Sequence, residues 1–220
     1  MLLEVCIDTL EAAMAAEQGG AHRLEVCGDL SIGGVTPSQE LLKSVKKHTS
    51  LPIMMMIRPR GGNFVYSDDE AAVMMKSIRL GKELGVNGFV FGMLQPENDL
   101  NVDLTVEMHK LCQGYETTYH RAFDECSTPI KALGQLIDMG FTRILTSGQQ
   151  STAIAGKTLI KKLVDFAGDQ LTILPGSGVT SKNAKEIIDF TGAKEIHGSC
   201  KGLLSKTDAS EVAKVLEMLT

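Results

Sequence analysis

The chain has 220 residues, 43% of them hydrophobic, so it can bury one sizeable core without needing a second domain. Its 22 basic and 27 acidic residues give a formal net charge of -5, and no basic block occurs, which argues against nucleic-acid binding. No apolar run approaches the roughly 20 residues that cross a membrane, and the five cysteines include no CxxC pair. We therefore expect a cytoplasmic protein with free thiols and no signal peptide.

Short apolar or β-branched runs alternate with longer helical patterns along the whole chain. Eight runs are predicted to be β-strands, near residues 2–7, 23–27, 53–57, 88–91, 116–120, 142–146, 171–175 and 195–198. Helix starts between them are marked by capping residues, as in the capping box of Ser67 and Glu70. Eight parallel strand–helix units favour an α/β fold, a single-domain (β/α)8 TIM barrel over residues 1–220. A doubly wound sheet is disfavoured because no GxGxxG follows the first strand.

The first two predicted strands contain related phrases, LLEVCID at residues 2–8 and RLEVCGD at residues 23–29. Side chains alternate faces along a strand, so the aliphatic residues share one face and the acidic and thiol residues share the other. The outer face of a barrel packs against helices, so Glu4, Cys6, Glu25 and Cys27 should point into the lumen. Buried carboxylates need compensating partners, and we expect cations nearby.

Two arginines follow the third predicted strand, in the phrase IRPRGG. Chemistry in these barrels occurs at the rim formed by the carboxyl ends of the strands. We expect Arg58 and Arg60 to bind an anion, to neutralise Glu4 and Glu25, or to do both.

Histidines also lie at strand ends. In the phrase HRAFD, His120 and Asp124 are interpreted as a general acid–base residue and its orienting carboxylate. The alternative is a structural ion pair between Asp124 and Arg121, which could itself bind an anion. His197, in the eighth strand, is either a catalytic or ligand residue or a satisfied core histidine.

Three loops with glycines and hydroxyl side chains follow the sixth, seventh and eighth strands. Backbone N–H groups beside glycines bind phosphate well, and the loops after strands seven and eight are the usual phosphate position in such barrels. We therefore predict a phosphate or carboxylate ligand there. The candidate residues are Thr146, Ser147, Gly148, Gly176, Gly178, Gly198 and Ser199.

Two thiols are candidates for a soft metal site. If the first two strands pair with Cys6 and Cys27 in register, their Cα atoms lie about 5 Å apart. Two thiolates at that separation could bind one Cu(I) ion. The alternative is that both are ordinary buried thiols.

Assembled in order, these motifs resemble the CutC family of copper homeostasis proteins. The resemblance rests on EVCID, RLEVCGDLSIGGVTPS, MIRPRGGNFVYSDDE, GFVFGML, HRAFDE, ILTSG, LPGSGVTSKN and EIHGS. It implies a (β/α)8 barrel, a cytoplasmic location, copper handling and self-association as a dimer or tetramer. It also implies Cu(I) ligation by Cys6 and Cys27. The family's shared polar set falls on Glu4, Glu25, Arg58, Arg60, His120, Arg121, Asp124 and His197.

Two functions are therefore expected. The first is a cytoplasmic Cu(I)-binding protein of copper homeostasis. The alternative is a barrel enzyme acting on a small anionic or phosphorylated metabolite, in which Arg58 holds the anion, His120 moves a proton and Glu25 or Glu4 assists. A binding or regulatory barrel without turnover is a third possibility.

Overall fold

The structure is a computed structural model that describes residues 1–202 and 205–219. Its strands are β1 (Leu2–Ile7), β2 (Arg23–Val26), β3 (Ile53–Met56), β4 (Gly88–Phe91), β5 (Glu116–Tyr119), β6 (Arg143–Thr146), β7 (Thr172–Pro175) and β8 (Glu195–Gly198). Its α-helices are α1 (Leu10–Gln18), α2 (Gln39–His48), α3 (Asp68–Leu84), α4 (Val102–Leu111), α5 (Pro129–Met139), α6 (Lys157–Ala167), α7 (Ala184–Thr191) and α8 (Ala209–Met218). Short 3-10 helices cover Leu30–Ile32 and Arg121–Glu125.

The strands form one parallel sheet in the order β7-β6-β5-β4-β3-β2-β1-β8. Its two edges, β7 and β8, approach each other, so the sheet is a nearly closed barrel surrounded by the helices. The predicted (β/α)8 fold is confirmed, and every predicted strand is present within one residue at each end. Among the described residues, no helix combines the length and apolarity needed to cross a membrane.

The two faces of the strands separate as the alternation predicts. Leu3, Val5 and Ile7 pack outwards, in the large core cluster shared with the surrounding helices. Met54 and Met56 belong instead to a small separate cluster with Cys27 and Val90 inside the barrel. The methionine run of β3 therefore divides between the two faces, because Met55 belongs to the outer core.

An ionic network fills the lumen at the amino-terminal end of the strands. Arg23 forms ion pairs with Glu4 and, at 2.7 Å, with Glu195. Arg143 bonds Glu195 at 3.1 Å and Glu116 at 2.6 Å. These charges satisfy one another, so the open part of the barrel lies towards its carboxyl end.

Candidate functional site

A cavity of about 630 Å³ lies at the carboxyl end of the barrel. The strands and the segments that follow them supply its polar side chains, as expected for the functional end of this fold. The predicted site residues that line it are Cys6, Glu25, Arg58, His120, Arg121, Asp124, Gly178, His197, Gly198 and Ser199.

Three buried side chains converge at one part of this cavity. The thiol of Cys6, a carboxylate oxygen of Glu25 and a ring nitrogen of His197 all lie within 4.8 Å of one another. Thiolate, imidazole and carboxylate are all established metal ligands. The cluster is therefore the candidate metal site.

The second predicted thiol ligand, Cys27, lies outside this cluster. The register of β1 and β2 places Cys6 opposite Glu25, so the expected in-register pairing of Cys6 with Cys27 is wrong. Parallel strands in a closed barrel are staggered, which displaces equivalent positions of the two similar phrases. The Cys27 thiol donates to Glu25 Oε2 at 3.4 Å.

His197 is oriented by a carboxylate behind it. Its Nδ1 lies 2.8 Å from Glu4 Oε1, and its Nε2 lies 3.8 Å from Glu25 Oε2. Glu4 in turn accepts a hydrogen bond from Arg23 Nε. A carboxylate on the far nitrogen is the usual support of a metal-binding histidine.

The compensating cation for Glu4 is therefore Arg23, to which sequence analysis assigned no role. The expectation that Arg58 and Arg60 neutralise Glu4 and Glu25 is wrong, because both arginines have other partners. Arg23 could have been found from the alternation of β2, since it lies two residues before Glu25 on the same face.

The electrostatics of this cluster favour ionised Glu4 and protonated His197 but oppose ionisation of Glu25. Burial opposes ionisation of Glu4, but the His197 hydrogen bond and Arg23 lower its pKa to about 2. Burial raises the pKa of Glu25, and the charge of His197 opposes this effect only in part. Burial also opposes the charged form of His197, but Cys6 and Glu25 outweigh it and raise its pKa.

Arg58 is fixed beside the cavity, and its Nε donor is left over. Its Nη1 donates to the carbonyls of Ile32 and Gly34, each at 3.1 Å, and its Nη2 donates to Gly62 at 2.8 Å. Its buried Nε has no hydrogen-bond partner among the described residues. Arg58 thus lines the cavity, and its role in ligand binding stays a prediction.

Arg60 does not contribute to the cavity. It pairs with Glu70 at the start of α3 and donates to the carbonyls of Asn63 and Val65. The expectation that Arg60 binds an anion beside Arg58 is therefore not supported, because its guanidinium stabilises the loop before α3.

His120 and Asp124 do not form the expected pair. His120 Nδ1 accepts from the backbone N–H of Ala122 at 3.2 Å, and its Nε2 is buried without a partner among the described residues. Burial, and then the charge of Arg58, lower its pKa to about 3. Asp124 instead pairs with Arg121 at 2.8 Å, as the structural alternative predicts.

Asp124 also holds the loop after β6. It accepts hydrogen bonds from the Thr146 hydroxyl, from the backbone and hydroxyl of Ser147, and from the backbone of Gln149. The hydroxyls predicted to bind an anion are therefore used inside the protein. The 3-10 helix that follows β5 directs Asp124 to this loop.

Gly148 and Gly176 are structural as well. A Cβ at Gly148 would lie 2.3 Å from the carbonyl oxygen of Gly156, and one at Gly176 would lie 2.5 Å from the Leu145 side chain. The described residues that line the cavity include neither of them, nor Thr146 and Ser147. The structure therefore does not support anion binding by Thr146, Ser147, Gly148 or Gly176.

The loops after β7 and β8 keep the predicted position. Gly178, Gly198 and Ser199 line the cavity, as does Val179. The backbone N–H groups of Gly178 and Val179 make no hydrogen bond to another described residue. These amides are available to a ligand oxygen.

Fold and site together define a class of protein, a single-domain (β/α)8 barrel with potential metal ligands in a polar cavity at its carboxyl end. The sequence profile of the CutC family matches residues 1–202. The chain belongs to the CutC family, as its motifs predict.

Similar proteins and a solved structure support the assignment to the CutC family. The copper homeostasis protein cutC homolog of Mus musculus is 45% identical over 200 residues, which are 91% of this chain and 74% of that protein. The homolog of Homo sapiens is 44% identical and covers 91% of this chain and 73% of its own. A CutC crystal structure from Streptococcus agalactiae has a TM-score of 0.86 at 34% identity, covering 90% of this chain and 98% of that one.

Proposed function

We propose that this chain binds copper as Cu(I) inside the barrel and acts in copper homeostasis. The observation that carries the proposal is the convergence of Cys6, Glu25 and His197 within 4.8 Å. Thiolate ligands select Cu(I) and imidazole also suits copper, so this donor set fits the ion. The copper homeostasis names of the relatives support the same ligand.

The residues would have unequal roles in holding the ion. Cys6 and His197 supply the softer sulfur and nitrogen ligands, and Glu25 is a weaker third ligand for Cu(I). Glu4 keeps the His197 ring in place through the 2.8 Å contact. Cys27 supports Glu25 through its thiol, where sequence analysis expected a second sulfur ligand.

An anaerobic Cu(I) titration against a strong competing chelator tests the proposal. We expect one tightly bound Cu(I) per wild-type chain and loss of binding in Cys6→Ser. Cys112→Ser is the matched control, because this buried thiol belongs to the outer core at the end of α4. Unchanged Cu(I) binding in Cys6→Ser would refute the site.

Zn(II) is the competing ion to include. A site with one sulfur, one nitrogen and one carboxylate also suits Zn(II) with an open position. The proposal requires that Cu(I) displaces Zn(II) from the wild-type chain. Stronger retention of Zn(II) would assign the same residues to zinc.

A cytoplasmic location and self-association as a dimer or tetramer stay predictions that the family resemblance implies. Light scattering after size-exclusion chromatography measures the oligomeric state, and a monomer would refute the predicted self-association. Fractionation of cells that express the chain tests the location.

A second candidate function is an enzyme that acts on a small anionic or phosphorylated metabolite. It is supported by the cavity of about 630 Å³, which is far larger than one metal ion requires. Three buried atoms on its lining residues have no partner among the described residues: Glu25 Oε1, Arg58 Nε and His120 Nε2. Thermal-shift screening of phosphorylated metabolites and organic acids tests it, and a lack of any stabilising compound would count against it.

A further inference from the structure

We propose that Arg58 and His120 form a two-donor subsite for a negatively charged ligand oxygen, in which His120 is a neutral hydrogen-bond donor and not a base. This inference rests on the second candidate function. It changes the role that sequence analysis gave to His120, which was the transfer of a proton.

The hydrogen bonding of His120 decides which ring nitrogen carries the proton. The backbone N–H of Ala122 donates to Nδ1 at 3.2 Å, so Nδ1 acts as an acceptor and carries no hydrogen. A neutral imidazole then has its single proton on Nε2. Burial and the nearby Arg58 charge keep the ring neutral, since they lower its pKa to about 3.

The Nε2–H of His120 is thus a buried donor without an acceptor in the described part of the chain. The residue is 3% exposed, and Nε2 has no hydrogen-bond partner among the described residues. Buried donors are rarely left unpaired, and those that are call for an explanation such as a bound ligand. Because the residue lines the cavity, a ligand there can supply the missing acceptor.

Arg58 presents a second donor of the same kind. Three backbone carbonyls hold its terminal nitrogens, which fixes the guanidinium plane and leaves the buried Nε unpaired. Phe64 lies beside both side chains: its ring centroid is 4.8 Å from Arg58 Cζ and 4.9 Å from the centroid of His120. Phe64, which also lines the cavity, therefore contacts both side chains of the proposed subsite.

Two donors and one permanent positive charge specify the chemistry of the ligand. The matching group is an oxygen that accepts hydrogen bonds and carries negative charge, as in a carboxylate or a phosphate. The backbone amides of Gly178 and Val179, which make no hydrogen bond to a described residue, supply further donors at the same cavity. We therefore assign the subsite to the oxyanion of a small organic acid or phosphate ester.

Two substitutions at His120 separate the donor from the rest of the side chain. His120→Asn keeps an acceptor near Nδ1 for the Ala122 N–H and removes the donor at Nε2. His120→Gln places an amide N–H near Nε2. Titration calorimetry on the metal-free chain uses inorganic phosphate and oxalate as probes, and the preferred probe distinguishes a phosphate site from a carboxylate site.

We expect His120→Asn to weaken binding of the preferred probe by about tenfold or more, the effect of losing one hydrogen bond to a charged group. His120→Gln should stay within about threefold of wild type, and Arg58→Lys should lose at least as much as His120→Asn. Nitrogen-15 NMR of the imidazole should show the neutral form protonated on Nε2 between about pH 5 and pH 9.

Three outcomes would overturn the subsite. A proton on Nδ1 would contradict the assigned donor, and absence of phosphate and oxalate binding by wild type would refute an oxyanion site. A screened metabolite that binds wild type and His120→Asn equally would also refute the subsite, but it would leave the second candidate function standing.

Discussion

Nδ1 of His197 lies 2.8 Å from Oε1 of Glu4 inside the barrel, and the two residues face each other across the paired strands β8 and β1. Arg23 holds the same carboxylate. The contact with Glu4 therefore fixes the imidazole through Nδ1, and Nε2 points towards Glu25. This relationship links the ionic network of the lumen to the candidate metal site.

Glu4→Gln should weaken both the fold and the site. It leaves Arg23 buried with one partner fewer, and breaking a buried ion pair costs about 3–5 kcal/mol of unfolding free energy. It also loosens His197, for which we expect about 10- to 100-fold weaker Cu(I) binding. Urea unfolding and Cu(I) competition measure the two effects. Glu186→Gln, at an exposed ion pair with Lys157, is the control and should change neither.

The two lumen thiols should differ in importance. We expect Cys6→Ser to weaken Cu(I) binding by about 100-fold or more, because it removes the sulfur of the cluster. Cys27→Ser should weaken it by less than about tenfold, since that thiol acts only through Glu25. Competition with a Cu(I) chelator measures both variants. Equal losses would show that the two sulfurs bind the ion together.

Asp124→Asn should lower the stability of the fold. Asp124 accepts hydrogen bonds from Thr146, Ser147 and Gln149 and pairs with Arg121, so the amide would lose the charge and several acceptor contacts. We expect a loss of about 2–4 kcal/mol in unfolding free energy.

Cu(I) affinity should stay within about threefold of wild type in Asp124→Asn, because Asp124 is not one of the predicted metal ligands. Urea unfolding and chelator competition provide the two readouts. If Asp124→Asn keeps its stability but loses metal or metabolite binding, Asp124 has a functional role and this prediction is wrong.

His120 should make the fold sensitive to mild acid. Its pKa is lowered to about 3 in the folded chain, whereas the unfolded residue titrates near about 6.5. Below about pH 6.5 the unfolded chain binds a proton that the folded chain does not, so stability falls as pH decreases. Between about pH 7 and pH 5, wild type should lose roughly 2 kcal/mol more than His120→Asn. Denaturant unfolding at each pH measures the unfolding free energy of both proteins. The same change with pH in wild type and in His120→Asn would contradict a neutral buried His120.

The barrel and the faces of its strands could be predicted because both follow from local patterns. Alternation in β1 and β2 was sufficient to place Glu4, Cys6 and Glu25 in the lumen. The family motifs predicted the relationship that the comparisons confirm.

Contacts that depend on how neighbouring strands and loops meet could not be predicted. Similar phrases suggested that Cys6 faces Cys27, but the stagger of a closed barrel pairs Cys6 with Glu25. Sequence proximity suggested that Asp124 supports His120, but the intervening 3-10 helix turns the carboxylate towards the β6 loop. Arg23 and Arg143 both pair with Glu195, which is far from them in the sequence, so no local pattern indicated this ionic network.

X-ray absorption at the copper edge of the Cu(I)-loaded chain tests the proposed metal site most directly. We predict a coordination shell with one sulfur, from Cys6, and one imidazole nitrogen, from His197. Cys27→Ser should leave the spectrum unchanged, and His197→Gln should remove the nitrogen. A shell of two sulfurs without nitrogen, one of them lost in Cys27→Ser, would contradict this site and support the cysteine pair.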